Sequence, residues 1–183
     1  MQEKSAKTKN VHNFRFLRTM QISESHCGPA VIQMLLANLG IEVTQEAVAE
    51  AGGAAELIEL NGMRVDQLAL AVKELAPEAQ FWYKDHAKLD ELVALLNVHH
   101  YPVGVEWQGL FEDEDDEDEE EDDDEEDEED DDDENVLEDS ETEDEDYGHY
   151  SVVSHVDEEN KQLIIVDPYK DYVSQDRIFS FDQ

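Results

Sequence analysis

Apolar positions in the first half of the chain recur at the spacing of amphipathic helices. The first such run begins at Cys27, has Pro29 in its first turn and ends at Gly40, which fits the preferences of these residues for helix starts and ends. Thr44 precedes the second run and can cap it through its hydroxyl group. Three further helices are therefore predicted, over residues 44–50, 62–75 and 88–98.

Short apolar runs bounded by turn residues predict strands, most of them in the second half of the chain. The runs at 149–153 and 162–166 flank a polar turn at 157–160 and predict a hairpin. Because helices come first and strands come last, the order is α+β, with N-terminal helices packed on a C-terminal antiparallel sheet. Further strands are predicted at 13–17, 80–83, 102–107 and 177–180.

Charge divides the chain into an ordinary domain and an acidic insert. The 183 residues carry a formal net charge of −39, yet 30 of the 51 acidic residues fall within 112–146. Residues 112–134 are an unbroken run of 23 acids, and such a self-repelling block is predicted to be disordered because it has nothing apolar to bury. We therefore expect a flexible arm at 1–13 and one domain at 14–183, interrupted by the insert at 112–146.

The acidic insert admits three interpretations. On composition alone it is a solvated, disordered loop. It could also attract a basic partner or a basic peptide substrate through its field. A third interpretation is weak binding of divalent cations without a defined site, since the insert lacks the glycine and terminal glutamate spacing of a calcium loop.

Composition also excludes several classes of protein and site. The sequence has no run of 18 apolar residues for a membrane span, and its N-terminal residues lack the apolar segment of a secretory signal. The negative charge argues against nucleic-acid binding, which needs lysine and arginine. A single cysteine, Cys27, cannot form an internal disulfide or a cysteine-based zinc site. We therefore expect no metal, a reducing compartment and a cytoplasmic location.

Four residues form a candidate catalytic set. Cys27 begins a predicted helix, and a helix N-terminus beside an imidazolium favours the nucleophilic thiolate. His149 begins a predicted strand and can take up the thiol proton and later donate it to a leaving group. Asp167 ends the next strand and can orient the imidazole. The side-chain amide of Gln21 can join the Cys27 backbone N–H in stabilising an oxyanion.

The order and surroundings of these residues resemble the bacteriocin-processing peptidase-like family. Its members are papain-like cysteine peptidases, the best known of which cleave double-glycine leader peptides. The resemblance covers about residues 14–181 apart from the acidic insert. The matching motifs are Gln21-x5-Cys27-Gly28-Pro29-Ala30, His149-Tyr150 and Asp167-Pro168-Tyr169.

The resemblance implies a papain-like fold and hydrolysis of peptide bonds through Cys27, His149, Asp167 and Gln21, with no cofactor. Two departures concern the substrate. His26 stands where leader-cleaving members often have aspartate, and the chain has no exporter membrane domain. The family pattern also continues beyond the last residues, so we expect a longer parent protein.

Other functions stay open at the level of sequence. The same fold without activity would be a peptide-binding or interaction module whose acidic loop captures basic partners. Transfer of an acyl group to an amine would use the same thioester intermediate as hydrolysis. His26 is a second candidate base, while His149 and Asp167 could instead be a strand-end histidine and a turn residue.

Overall fold

The structure is a computed structural model that describes residues 14–108 and 148–181. The predicted N-terminal arm and the predicted disorder of the acidic insert lie outside these residues. The chain divides into two units, one formed by residues 1–107 and 149–183 and the other by residues 108–148. The helices and strands below belong to the first unit, apart from the terminal strand residues Gln108 and Gly148.

Helices come first along the described chain and strands come last, so the predicted α+β class is confirmed. The helices are α1 (Cys27–Asn38), α2 (Gln45–Ala51), α3 (Ile58–Asn61), α4 (Val65–Leu75) and α5 (Leu89–Val93), which continues as a π-helical turn (Ala94–Val98). The strands are β1 (Val103–Gln108), β2 (Gly148–Asp157), β3 (Gln162–Val166) and β4 (Asp176–Ser180).

Helix α1 is the central helix of the fold, and most of its side chains are buried. It packs against α2 and α4, so apolar residues are needed on more than one of its faces. Strand β1 also approaches it closely. A Cβ atom at Gly104 would lie 2.9 Å from the Val31 side chain, so glycine is required where this strand meets the helix.

The four strands form one sheet in the order β1-β2-β3-β4. Strands β2 and β3 are antiparallel, as are β3 and β4, so the predicted hairpin is confirmed. Val152 lies opposite Val166 in the first pair, and Ile165 lies opposite Arg177 in the second. Most of β2 is buried because it lies between β1 and β3.

Two predicted strands are wrong. The described part of the segment at 13–17, residues 14–17, forms no strand, although Phe14 donates its backbone N–H to the Ser154 carbonyl at 3.0 Å. The segment at 80–83 is a loop, in which Trp82 is 85% exposed. Aromatic residues favour strands because they fit a half-buried pleated surface, but Trp82 and Tyr83 are exposed in this loop.

The predicted third and fourth helices have the wrong bounds. Gly62 has φ +60° and ends the short helix α3, which the apolar pattern did not indicate. Helix α4 starts at Val65 instead, where the Gln67 side chain accepts the Arg64 backbone N–H at 3.0 Å. The predicted helix at 88–98 changes from α to π geometry at Ala94. In the part of the chain described here, no helix has the length and apolar character of a membrane crossing.

Candidate active site

Cys27 is the first residue of α1, and its free thiol is largely buried, with 8% of the residue exposed. Helix α1 is 12 residues long, so its aligned peptide dipoles place partial positive charge at this end. No acidic residue lies in the first turn to cancel that charge. The thiol therefore lies at the N-terminus of α1, where the sequence predicted that a helix begins.

His149 lies near the start of β2 and is also buried. Its Nε2 atom is 2.8 Å from Asp167 Oδ1. Burial alone would lower the pKa of His149, but hydrogen bonds to Asp167 and to the Cys27 thiol outweigh this effect and raise the pKa to about 9. Since Nε2 faces Asp167, Nδ1 is the ring nitrogen available to the thiol.

Asp167 follows β3 directly and is completely buried. Burial raises the pKa of its carboxyl, but donors around it, above all His149, hold that pKa below its usual range. Oδ1 accepts the Tyr169 backbone N–H at 2.9 Å in addition to the His149 contact. Oδ2 accepts from Arg177 Nη1 at 2.8 Å. This carboxylate is thus held ionised by donors on both oxygens.

The hairpin register explains why His149 and Asp167 meet. Val152 lies opposite Val166, and continuing this register places Asp167 opposite Ser151. His149 then lies two residues along the same face, which is a diagonal distance that two such side chains can span. The structure therefore brings together Cys27, His149 and Asp167, the first three residues of the candidate set.

Gln21 is buried beside this group and tied to it by the backbone, because its N–H donates to the Pro168 carbonyl at 2.9 Å. Its side-chain nitrogen Nε2 donates to the carbonyls of Ser23 and Glu24, at 2.9 and 3.0 Å. Within residues 14–108 and 148–181, the buried Oε1 atom of Gln21 has no hydrogen-bond partner. The amide is thus near the site, but its N–H groups are engaged by the loop before Cys27.

A known protein family matches this sequence. The model of the Peptidase_C39 like family matches residues 10–180, which is most of the chain. The chain belongs to the Peptidase_C39 like family. Membership assigns the chain to the papain-like cysteine peptidases, so the resemblance drawn from the motifs is confirmed at the level of the family. No curated protein sequence matches the chain.

Arg177 on β4 is a residue of this site that sequence reasoning did not single out. Its guanidinium bonds Asp167 and lies over the rings of Tyr172 and Trp107, at 3.9 and 5.0 Å from their centres. The alternation of side chains along a strand could have indicated its role, since Arg177 lies on the same face of β4 as the apolar residue Phe179. A charged residue on the covered face of a strand needs a partner.

Trp107 on β1 covers His149 from the side. The two rings meet edge to face with centres 5.7 Å apart, and the indole N–H donates to Ser151 Oγ at 3.1 Å. Trp107 also contacts Phe179 edge to face, at 5.3 Å. The sequence placed Trp107 in the core or in a groove, and the structure gives it this specific neighbour.

A second polar cluster lies just before the nucleophile position. His26 is buried, and its Nδ1 atom is 2.6 Å from Ser23 Oγ. Ser23 Oγ also donates to the Glu59 carboxylate of α3, at 2.9 Å to Oε2. The ring of His26 therefore bonds the loop and α3 and does not contribute to the pair formed by His149 and Asp167. In the described part of the chain, no group of three or more histidine, cysteine, aspartate or glutamate side chains is arranged so that it could hold a metal ion.

Proposed function

We propose that the chain is a cysteine peptidase that hydrolyses peptide bonds, with Cys27 as nucleophile and His149 as general acid and base. Asp167 orients the imidazole, and the oxyanion is stabilised by the Cys27 backbone N–H together with the Gln21 amide. The observation that carries this proposal is the buried line from the Cys27 thiol through His149 to Asp167. Family membership supports the peptidase class.

The chemistry takes place in two halves. Cys27 Sγ attacks the peptide carbonyl carbon while the carbonyl π electrons move onto oxygen, and His149 gives its proton to the leaving amine as the C–N bond breaks. Water then attacks the resulting thioester and passes a proton to His149, while the sulfur leaves as thiolate. Every proton and electron pair is accounted for by the enzyme, the peptide and one water molecule, so the reaction needs no cofactor.

The Gln21 role requires a change of hydrogen bonds. Its Nε2 donates to the Ser23 and Glu24 carbonyls, so one of these bonds must lengthen for the amide to reach an oxyanion. The substrate carbonyl gains negative charge only in the transition state, and a charged acceptor attracts an N–H more strongly than a neutral carbonyl does. We therefore assign Gln21 a contribution to the transition state and not to substrate binding.

The first test is the rate of Cys27 alkylation against pH, in the wild type and in His149→Ala. A wild-type rate that reaches a plateau below the free-thiol pKa of about 8.5, and loses it in the variant, supports a thiolate–imidazolium pair. Cys27→Ala should abolish cleavage in a peptide screen while leaving the thermal unfolding curve nearly unchanged. Cleavage that survives Cys27→Ala would refute the assignment of the nucleophile.

The second candidate is an inactive module that binds peptides without cutting them. The hydrogen bonds of Gln21 favour this candidate. Its Nε2 atom already donates to the carbonyls of Ser23 and Glu24, so it is not free to donate to an oxyanion. Its signature is peptide binding that weakens with salt, without any turnover, since the acidic insert would attract a basic partner. Turnover that is lost in Cys27→Ala would exclude this candidate.

A further inference from the structure

The guanidinium of Arg177 is enclosed by the site on several sides. Its side chain is 17% exposed and bonds Asp167 Oδ2, whereas His149 bonds Oδ1. The rings of Tyr172, Trp107 and Phe179 lie against it, at 3.9, 5.0 and 5.2 Å from their centres. A cation held between aromatic faces and a buried carboxylate has little freedom to move.

The charges around Asp167 balance only when Arg177 is counted. In the reactive form proposed above, the Cys27 thiolate and Asp167 are negative, while His149 and Arg177 are positive. Without the arginine, the buried group would carry a net negative charge in a region with little water, which is costly. Without Arg177, no positive charge would oppose the attraction of Asp167 for the proton on His149.

We propose that Arg177 is a positioning residue of the active site, which fixes and partly neutralises the Asp167 carboxylate so that His149 can both bind and release its proton. This inference rests on the proposed function, because it assigns a task to His149 in proton transfer. A histidine that holds its proton too tightly is a poor acid for the leaving amine. Arg177 thus acts on the reaction through its contact with Asp167.

Arg177 also holds the residue that covers His149. Trp107 contacts both the guanidinium and the imidazole, with its ring centre 5.0 Å from the Arg177 guanidinium carbon and 5.7 Å from the His149 ring centre. One arginine therefore orients both the carboxylate and the indole that contact the imidazole. An uncharged residue of similar length would keep contact area with Trp107 but would lose the charge at Asp167.

Other ionisable groups near the site are kept unchanged in the test. Tyr150 follows His149 and interacts with Glu106 of β1 and Asp66 of α4. His26 and Glu59 form the polar cluster before Cys27, and Tyr172 lies under Arg177. All of these residues are retained in the Arg177 variants, so the only formal charge that the substitution removes is that of Arg177 itself.

The experiment follows the proton on His149 in Arg177→Met, Arg177→Gln and Arg177→Lys. NMR titration of the His149 ring, assigned with His149→Ala, gives its midpoint directly. Alkylation by iodoacetate gives it independently, because this anion reacts faster while the imidazolium is charged. The exposed Arg15 supplies a control, since Arg15→Met removes the same charge from the surface.

We expect both neutral variants to raise the His149 midpoint by about one pH unit, because an opposing cation near Asp167 is gone. Arg177→Lys should restore the wild-type midpoint, and Arg15→Met should leave it unchanged. A midpoint that stays constant or falls in whichever neutral variant folds, judged by thermal unfolding, would overturn the inference. The same holds for an equal shift in Arg15→Met. Absence of peptide cleavage by the wild type would instead refute the proposed function, and the titration would still decide the role of Arg177.

Discussion

Replacing Asp167 with asparagine should remove the proton from His149 at neutral pH. The asparagine side chain would keep the shape of the aspartate and an oxygen that can accept the His149 Nε2–H, while its amide nitrogen would replace the oxygen that accepts from Arg177. In the wild type, burial lowers the pKa of His149, whereas hydrogen bonds and charge at Asp167 and Cys27 raise it to about 9. Without the carboxylate, desolvation becomes the dominant effect on a ring that belongs to a residue only 4% exposed.

The size of the effect follows from the ordinary pKa of histidine. The wild-type value of about 9 lies well above the ordinary value of 6.5, and each pH unit corresponds to about 1.4 kcal/mol. Asp167 and Cys27 together therefore favour the imidazolium by about 3 kcal/mol, net of burial. Because Asp167 contributes the largest of the effects that raise the pKa, we expect its loss to bring the pKa of His149 to its ordinary value or below.

The assay is an NMR titration of the histidine rings in both proteins. The signal of His149 is assigned by its disappearance in His149→Ala, and His155 on the same strand is an internal control. The wild-type signal should change with a midpoint near pH 9, and the Asp167→Asn signal should change near or below neutral pH. Equal midpoints in two folded proteins would refute the claim that Asp167 holds the imidazolium.

The same interaction couples stability to pH with a defined sign. A histidine whose folded pKa of about 9 exceeds its unfolded pKa of 6.5 binds its proton more tightly in the folded state. Its contribution is fully present below the unfolded pKa and is lost as the pH rises through the folded pKa. Measured in Cys27→Ala, where the thiol cannot titrate, the free energy of unfolding should fall with rising pH over this interval. The fall should be less than about 3 kcal/mol, because the Cys27 hydrogen bond is absent, and Asp167→Asn should abolish it.

Two further predictions separate catalysis from packing. Gln21→Ala should lower kcat for peptide cleavage about 100-fold or more, as expected for loss of an oxyanion donor. It should leave the alkylation rate of Cys27 near the wild-type value, because alkylation forms no oxyanion; an equal loss in both rates would mean that Gln21 only braces the loop. Gly52→Ala should destabilise the fold by about 1–3 kcal/mol, since its new Cβ would lie 2.7 Å from the Gln67 carbonyl oxygen and closer still to Met63. Urea denaturation checks this, and an unchanged midpoint would contradict it.

The sequence predicted those parts of the fold that depend on local pattern and on residues with strong conformational preferences. Helix α1 starts at Cys27 and the helix before the glycine pair is capped by Thr44, whose Oγ1 accepts the Ala47 N–H at 3.2 Å. The hairpin of β2 and β3 was predictable because two apolar runs flank a polar turn. In each case a short stretch of sequence contains both the signal and the structure that it determines.

The wrong predictions of strands and helix bounds have a different physical origin. Phe81, Trp82 and Tyr83 have the composition of a strand, but a strand also needs a neighbouring edge to pair with, and the position of that edge is set by distant residues. The boundary between α3 and α4 depends on the backbone conformation of Gly62 and on the Gln67 side chain. Apolar periodicity depends on neither, so it missed α3 and started the predicted helix at Gly62 instead of Val65.

The residues of the candidate site also fall into two groups, those that local sequence predicts and those placed by contacts distant in sequence. Cys27, His149 and Asp167 could be found from their order because the helix start and the hairpin fix where each side chain lies. What surrounds them depends on pairings between strands that are distant in sequence. Arg177 reaches Asp167 because β4 pairs with β3 and places it opposite Ile165, and Trp107 reaches His149 because β1 lies beside β2. Arg177 contacts Asp167 and Trp107 contacts the imidazole, and no local motif contains the strand pairings that bring these residues there.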